Sequence, residues 1–210
     1  SVVVREKPPY WLGWPGTSYD LEAMRTFYNN EFASMAAKVG VQIQNFDPIE
    51  SNEAVEPFIG TLKAEKFDAV LVMPQHMSSW GMADKISQAG TPMILFSPVG
   101  MGFTGHISEI SRRPGVLVIS SLDQTAVGQA FRMVRAKRQF EETRVLVVAG
   151  DKREESVLEN LGTKVRHIPR STFEETFMKM PENEEAHEVA KTMRNAAKKV
   201  VEPSEQDTVN

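Results

Sequence analysis

The sequence contains no cysteine among its 210 residues. Disulfide bonds, thiolate metal sites and a cysteine nucleophile are therefore excluded for this chain. No apolar run reaches the roughly 18–20 residues that a membrane-spanning helix requires. The net charge is −4 and the basic residues are spread along the chain, so no basic patch indicates nucleic acid or an anionic membrane as a partner.

The composition that remains is that of a globular protein, with 41% apolar and 25% charged residues. The chain opens directly with a valine-rich stretch rather than a signal peptide. We therefore expect a cytoplasmic protein, although a signal peptide that had been removed would leave the same sequence.

Short apolar stretches alternate with helical stretches along the first two-thirds of the chain. The run at residues 69–73, Ala-Val-Leu-Val-Met, has no polar alternation, which is typical of a parallel strand covered on both faces. We predict α/β architecture with a doubly wound, mostly parallel sheet of flavodoxin or Rossmann type. The predicted strands are 2–5, 41–46, 68–73, 92–96 and 116–120. The predicted helices are one that Thr17 or Ser18 caps and Gly40 ends, then 51–65, 78–89 and 123–138.

A second α/β block follows a polar stretch at residues 139–143. We predict strands at 144–149 and 164–168 and helices at 154–161, 173–180 and 182–201. The domains are therefore predicted as 1–140 and 141–210. Two strands are too few for an independent sheet, so we expect either that the second block is incomplete and the natural chain continues, or that its strands extend the first sheet.

Ligands of doubly wound sheets lie beyond the carboxyl ends of the strands, near the point where the strand order reverses. The loop at residues 75–80 combines amide, imidazole and hydroxyl groups with an indole ring, which suits a sugar or another polyol. The loop at residues 11–17 has similar groups. In both loops the same residues can instead cap a helix, shape a turn or pack. The predicted ligand-binding residues are Trp14, Gly16, Thr17, Gln75, His76, Ser78, Trp80, Ser97 and Asp151.

Other motifs are weaker. Residues 100–105 match G-x-G-x-x-G, with Asp123 at the end of the next strand, but this fingerprint of dinucleotide sites belongs on the first strand–helix turn. Asp123 can equally cap the next helix. The histidines outside the 75–80 loop share no spacing typical of metal ligands. No catalytic residue can be assigned, and a nucleotide- or flavin-using enzyme remains an alternative.

The stretch from Asp68 to Trp80, followed by residues 90–97 (Gly-Thr-Pro-Met-Ile-Leu-Phe-Ser), resembles the amino-terminal part of the fucose isomerase and arabinose isomerase superfamily. Residues 121–128 are similar to the segment that opens the family's next long helix. Residues 144–151, with Leu161, Gly162 and Phe173, are similar to the entry into its second domain.

This resemblance implies the amino-terminal region of an aldose–ketose isomerase, which contributes a carbohydrate-contacting surface to an oligomer. It also implies a divalent metal, often manganese, in the intact protein, whose ligands lie in later domains that this chain lacks. Gln75, His76 and Trp80 match the sugar-contacting loops by position. The alternative is a sugar-binding module of the periplasmic-binding type without catalysis.

Overall fold

The computed structural model describes residues 1–6, 20–98, 102–181, 183–199 and 201. The chain divides into two compact units, Ser1–Glu142 and Thr143–Asn210. We call them unit 1 and unit 2 and describe each by itself. Among the described residues, no helix combines the length and the apolar character needed to cross a membrane.

Unit 1 contains a four-stranded parallel sheet with the strands in the order β1-β2-β3-β4. Its strands are β1 (Val2–Val4), β2 (Val70–Pro74), β3 (Met93–Ser97) and β4 (Val116–Ser120). Its helices are α1 (Leu21–Lys38), α2 (Val55–Glu65), α3 (Trp80–Ser87), α4 (Thr104–Ile110) and α5 (Thr125–Glu142), with short 3₁₀ turns at Asn52–Ala54 and Met77–Ser79.

Helices cover both faces of this sheet because alternate strand residues point to opposite sides. One core joins Val2, Val72 and Leu95 to apolar side chains of α2, α3 and α4. The other joins strand residues of the opposite face to side chains of α1 and α5, including Phe32 and Phe131. The predicted α/β, doubly wound parallel sheet is confirmed.

The predicted strand at residues 41–46 is wrong. Ile49 instead forms a parallel bridge with Val4, and the amide of Phe46 donates to the carbonyl of Ser1. In that register the first residue of the chain already lies opposite Gln44, so residues 41–43 come before the start of β1. The bridge still places this segment beside β1, on the side away from β2.

Several helix boundaries also differ from those predicted, and two of them have clear local causes. Asp20 caps α1 by accepting a hydrogen bond from the Ala23 amide at 2.9 Å, while Thr17 and Ser18 lie outside the described residues. The last helix of unit 1 continues to Glu142 rather than ending at Arg138. Lys137 and Arg138 each pair with a glutamate four residues later, and such pairs support the extra turn.

Unit 2 contains its own three-stranded sheet in the order β5-β7-β6. The strands are β5 (Arg144–Val148), β6 (Glu154–Leu158) and β7 (Thr163–Ile168), followed by α6 (Ser171–Lys179) and α7 (Glu184–Ala196). The parallel pair β5–β7 fits the expected α/β pattern. The expectation of a second block without a sheet of its own is wrong, because a third strand was missed.

That third strand is β6, which the sequence predicted as a helix at 154–161. β6 pairs antiparallel with β7, with Leu158 opposite Thr163. The amide of Gly162 donates to the carbonyl of Leu158 at 2.7 Å, and Gly162 has a φ of +69°. A glycine with positive φ closes a hairpin as readily as it ends a helix.

Candidate functional site

The strand order of unit 1 reverses between β1 and β2. From β1 the chain passes to Ile49 on one side, and then to β2 on the other side. In open α/β sheets the crevice beyond the carboxyl ends of the strands at such a point is where ligands bind. Here those ends lead to Arg5 and Glu6 after β1 and to Gln75 after β2.

Gln75 is held at this point by its backbone and its side chain. Its amide donates to the carbonyl of Val4 at 3.0 Å, which continues the β1–β2 ladder by one bond. Its side-chain Nε2 donates to the carbonyl of Leu21, also at 3.0 Å. The residue is only 5% exposed.

The second polar atom of this amide is unsatisfied. No described group donates a hydrogen bond to Gln75 Oε1, which is buried. A buried acceptor without a partner costs about 1–3 kcal/mol, so such atoms are rare in folded proteins. A ligand hydroxyl is one group that can satisfy it.

His76 and Ser78 lie beside Gln75. The Ser78 amide donates to His76 Nδ1 at 3.3 Å, and Ser78 Oγ lies 2.6 Å from the same nitrogen. Nδ1 therefore acts as the acceptor, which places the proton of the neutral ring on Nε2. Glu6 Oε2 lies 3.7 Å from Nδ1 as well.

This arrangement differs from a catalytic triad. In a triad the hydroxyl contacts one nitrogen of the histidine, which takes its proton, and the carboxylate contacts the other nitrogen, which orients the ring and stabilises its charged form. Here Ser78 and Glu6 both approach Nδ1. These contacts donate and accept hydrogen bonds around one nitrogen and differ from the ordered arrangement of a triad.

Arg5, just after β1, forms ion pairs with the carboxylates of Glu22 and Glu50. Its guanidinium donates to Glu50 Oε1 at 2.8 and 3.0 Å and pairs with Glu22 of α1. Burial works to lower the pKa of Arg5, but its hydrogen bonds to the two glutamates raise it above its usual value. The pKa of Glu22 is lowered, chiefly by the hydrogen bond from Arg5. The network fixes the start of α1 against the end of β1.

Three further side chains near the ends of the strands are buried, namely Ser79, Ser97 and Trp80. Ser79 donates to the carbonyl of His76 at 2.6 Å, and Ser97, at the end of β3, is fully buried. Trp80 is 3% exposed and belongs to the core under α2 and α3. Its indole therefore packs rather than presenting an open ring to solvent.

Phe103, which was not among the predicted site residues, belongs to a stack of rings that begins at Trp80. The ring of His106 stacks on Trp80, with centroids 5.4 Å apart and an interplanar angle of 18°. Phe103 in turn stacks on His106, at 6.1 Å and 26°, and is 65% exposed. The position of Phe103, in the connection between β3 and α4, was the sequence signal that could have identified it.

The remaining predicted site residues lie elsewhere or outside the described part. Trp14, Gly16 and Thr17 are outside the described residues, as is Gly100 of the glycine motif. Asp151 belongs to unit 2. Asp123 caps α5, since its Oδ1 accepts from the amide and the hydroxyl of Thr125, and these bonds lower its pKa.

The described residues were also considered as metal ligands. They contain no group of three or more histidine, aspartate or glutamate side chains placed to hold a metal ion. The divalent metal that the sequence resemblance implies therefore finds no ligand set in the described part of this chain.

No known protein-family model matches this chain. No curated protein sequence matches it either.

Proposed function

We propose that unit 1 binds a small polyhydroxylated ligand, a sugar or a related polyol, in the crevice between the carboxyl ends of β1 and β2. The observation that carries this proposal is Gln75, whose carbonyl oxygen is buried and has no described donor. The Leu21 carbonyl fixes the orientation of the amide, so the oxygen of the amide remains an acceptor without a described donor. A ligand hydroxyl can donate to it.

The neighbouring groups support a polyol rather than an ion. His76 and Ser78 offer hydroxyl and imidazole groups, and Arg5 is already neutralised by Glu22 and Glu50. Among the described residues that follow β1, an anionic ligand would meet the carboxylate of Glu6 and an arginine already paired with two glutamates. A ligand with several hydroxyls can use donors and acceptors in turn and needs no net charge.

Within this proposal, the chain serves as the amino-terminal, carbohydrate-contacting region of a protein resembling the sugar isomerases. The support is the sequence resemblance at residues 68–80 and 90–97. The catalytic metal ligands then come from other parts of the assembly. Incubating the chain with aldoses and manganese should produce no ketose, and turnover at ordinary enzymatic rates would refute this division of roles.

A binding module without catalysis is the second candidate. The observation that favours it is the shared use of His76 Nδ1 by Ser78 and Glu6, which differs from the arrangement of a catalytic triad. Calorimetry of the chain with a panel of sugars separates the two. A receptor binds alone at about micromolar levels, whereas an incomplete isomerase site binds only at about millimolar levels.

The variant that tests the site, for an isomerase region or a binding module, is Gln75→Met. It keeps the length of the side chain and removes the amide. Binding that is lost in this variant supports the proposed site. Binding that is unchanged, or no binding of any sugar by the original chain up to the millimolar range, overturns it.

A further inference from the structure

Phe103 lies at the outer end of a three-ring stack at the ligand-binding edge of unit 1. The order of rings is Trp80, His106 and Phe103. Trp80 is the first residue of α3 and directly follows the loop of Gln75 and His76. The stack therefore begins beside the crevice and ends in an exposed aromatic ring.

The inner end of the stack is immobile. Trp80 is 3% exposed and packs in the core. Gly102 lies against its indole so closely that an added Cβ would be 2.4 Å from Trp80 Cζ2. The backbone just before Phe103 is thus pressed onto a buried ring.

The outer ring is held as well. The Phe103 amide donates to His106 Nδ1 at 3.2 Å, and the two rings stack. The backbone bond and the ring contact involve the same histidine, so they fix both the position and the tilt of Phe103. The ring is 65% exposed, and its stacking on His106 restricts it, so a ligand that stacks on it orders less side chain than one that contacts an unsupported ring.

We infer that Phe103 is a stacking platform for the apolar C–H face of a cyclic sugar that binds at this edge of the sheet of unit 1. This inference rests on the proposed function. A pyranose ring presents several C–H groups in one rigid plane that matches an aromatic ring. The alditol of the same sugar is an open chain without such a plane, and it must be ordered on binding. The site should therefore prefer ring forms to open chains.

The experiment compares locked rings with open chains on the full chain. The probes are the methyl pyranosides of galactose, glucose, mannose, fucose and arabinose, and the corresponding alditols, titrated by calorimetry or ligand-observed NMR. We expect at least one methyl pyranoside to bind and its alditol to bind about fivefold more weakly or worse, the order of effect of one aromatic contact.

The variants are Phe103→Ala, Phe103→Trp and Leu122→Ala. Phe103→Ala should weaken pyranoside binding about fivefold and abolish the preference over the alditol, whereas Phe103→Trp should retain both. Leu122 follows β4 at the same edge and is 71% exposed, so Leu122→Ala is a matched loss of exposed apolar surface and should change nothing.

The two hypotheses fail in different ways. If no carbohydrate binds, the proposed function is wrong and the inference falls with it. If a sugar binds and is lost in Gln75→Met but is insensitive to Phe103→Ala, or if the alditol binds equally well, only the inference is overturned. A nucleoside such as adenosine that binds through Phe103 in preference to every sugar also overturns it.

Discussion

The side-chain amide of Gln75 donates to the backbone carbonyl of Leu21 at 3.0 Å, which ties the end of β2 to the first residue of α1. A carbonyl can only accept, so this bond determines which end of the amide is the nitrogen. The oxygen must then point the other way, and it finds no described donor. One hydrogen bond thus both links two elements and keeps an acceptor available.

Replacing Gln75 with methionine should change stability by no more than about 2 kcal/mol. The variant leaves the Leu21 carbonyl without its donor, which costs about 1–3 kcal/mol if that oxygen stays dry, but it also removes the unsatisfied Oε1, which relieves a cost of the same size. Chemical denaturation of both proteins measures the difference. A loss well above 3 kcal/mol would show that Gln75 is retained for folding, not for a ligand.

Gly102→Ala should destabilise the protein by about 1–3 kcal/mol, because the new Cβ overlaps the indole of Trp80 and that ring is buried. The near-ultraviolet circular dichroism of the protein should change with it. Gly105→Ala is the matched control, since nothing lies within 4 Å of an added Cβ there. Gly105 lies in α4, so this change should be neutral or should stabilise by up to about 1 kcal/mol. Equal effects of the two changes would contradict the contact.

The sheet of unit 1 was predictable because its first three strands are buried on both faces. Such strands require apolar residues at every position, and the run at β2 shows this without ambiguity. The segment at 41–46 carries β-forming residues too, but whether it pairs depends on where β1 begins, which no local pattern encodes. β6 was missed for a related reason: the residues Glu154–Leu158 do not alternate, and only the pairing with β7 makes them a strand.

The location of the candidate site was predictable from the sequence, but which side chains are exposed there was not. The carboxyl ends of strands follow from the order of elements, so Gln75, His76 and Ser78 could be named in advance. The burial of Trp80 could not, since it depends on which face of α3 meets the sheet. Phe103 escaped for the converse reason: its environment is set by His106 and Trp80, which are close only in the fold.

Phe32→Ala should destabilise unit 1 by about 3–5 kcal/mol, as expected for removal of a buried aromatic ring. Phe32 is 1% exposed and packs edge-on against Phe96 of β3, with ring centroids 5.2 Å apart. Phe27 of the same helix is 46% exposed, so Phe27→Ala should cost about 0.5 kcal/mol. Thermal or denaturant unfolding of the pair measures both, and similar losses would mean that α1 does not pack with this face inward.

Replacing Glu22 with glutamine should make unfolding less sensitive to acid. The hydrogen bond from Arg5, followed by its charge, lowers the pKa of Glu22 below its usual value of 4.5. A carboxyl whose pKa is lower in the folded state stabilises the protein above its usual pKa, and this contribution is lost as the pH falls through the folded value. The stability of the original protein should therefore decline below about pH 4.5 more steeply than that of Glu22→Gln. Glu31→Gln, an exposed change on the same helix, controls for net charge and should retain the steep decline. The measurement is the denaturant midpoint from pH 7 to pH 3, and parallel curves for the original protein and Glu22→Gln would show that the Arg5–Glu22 pair contributes nothing in solution.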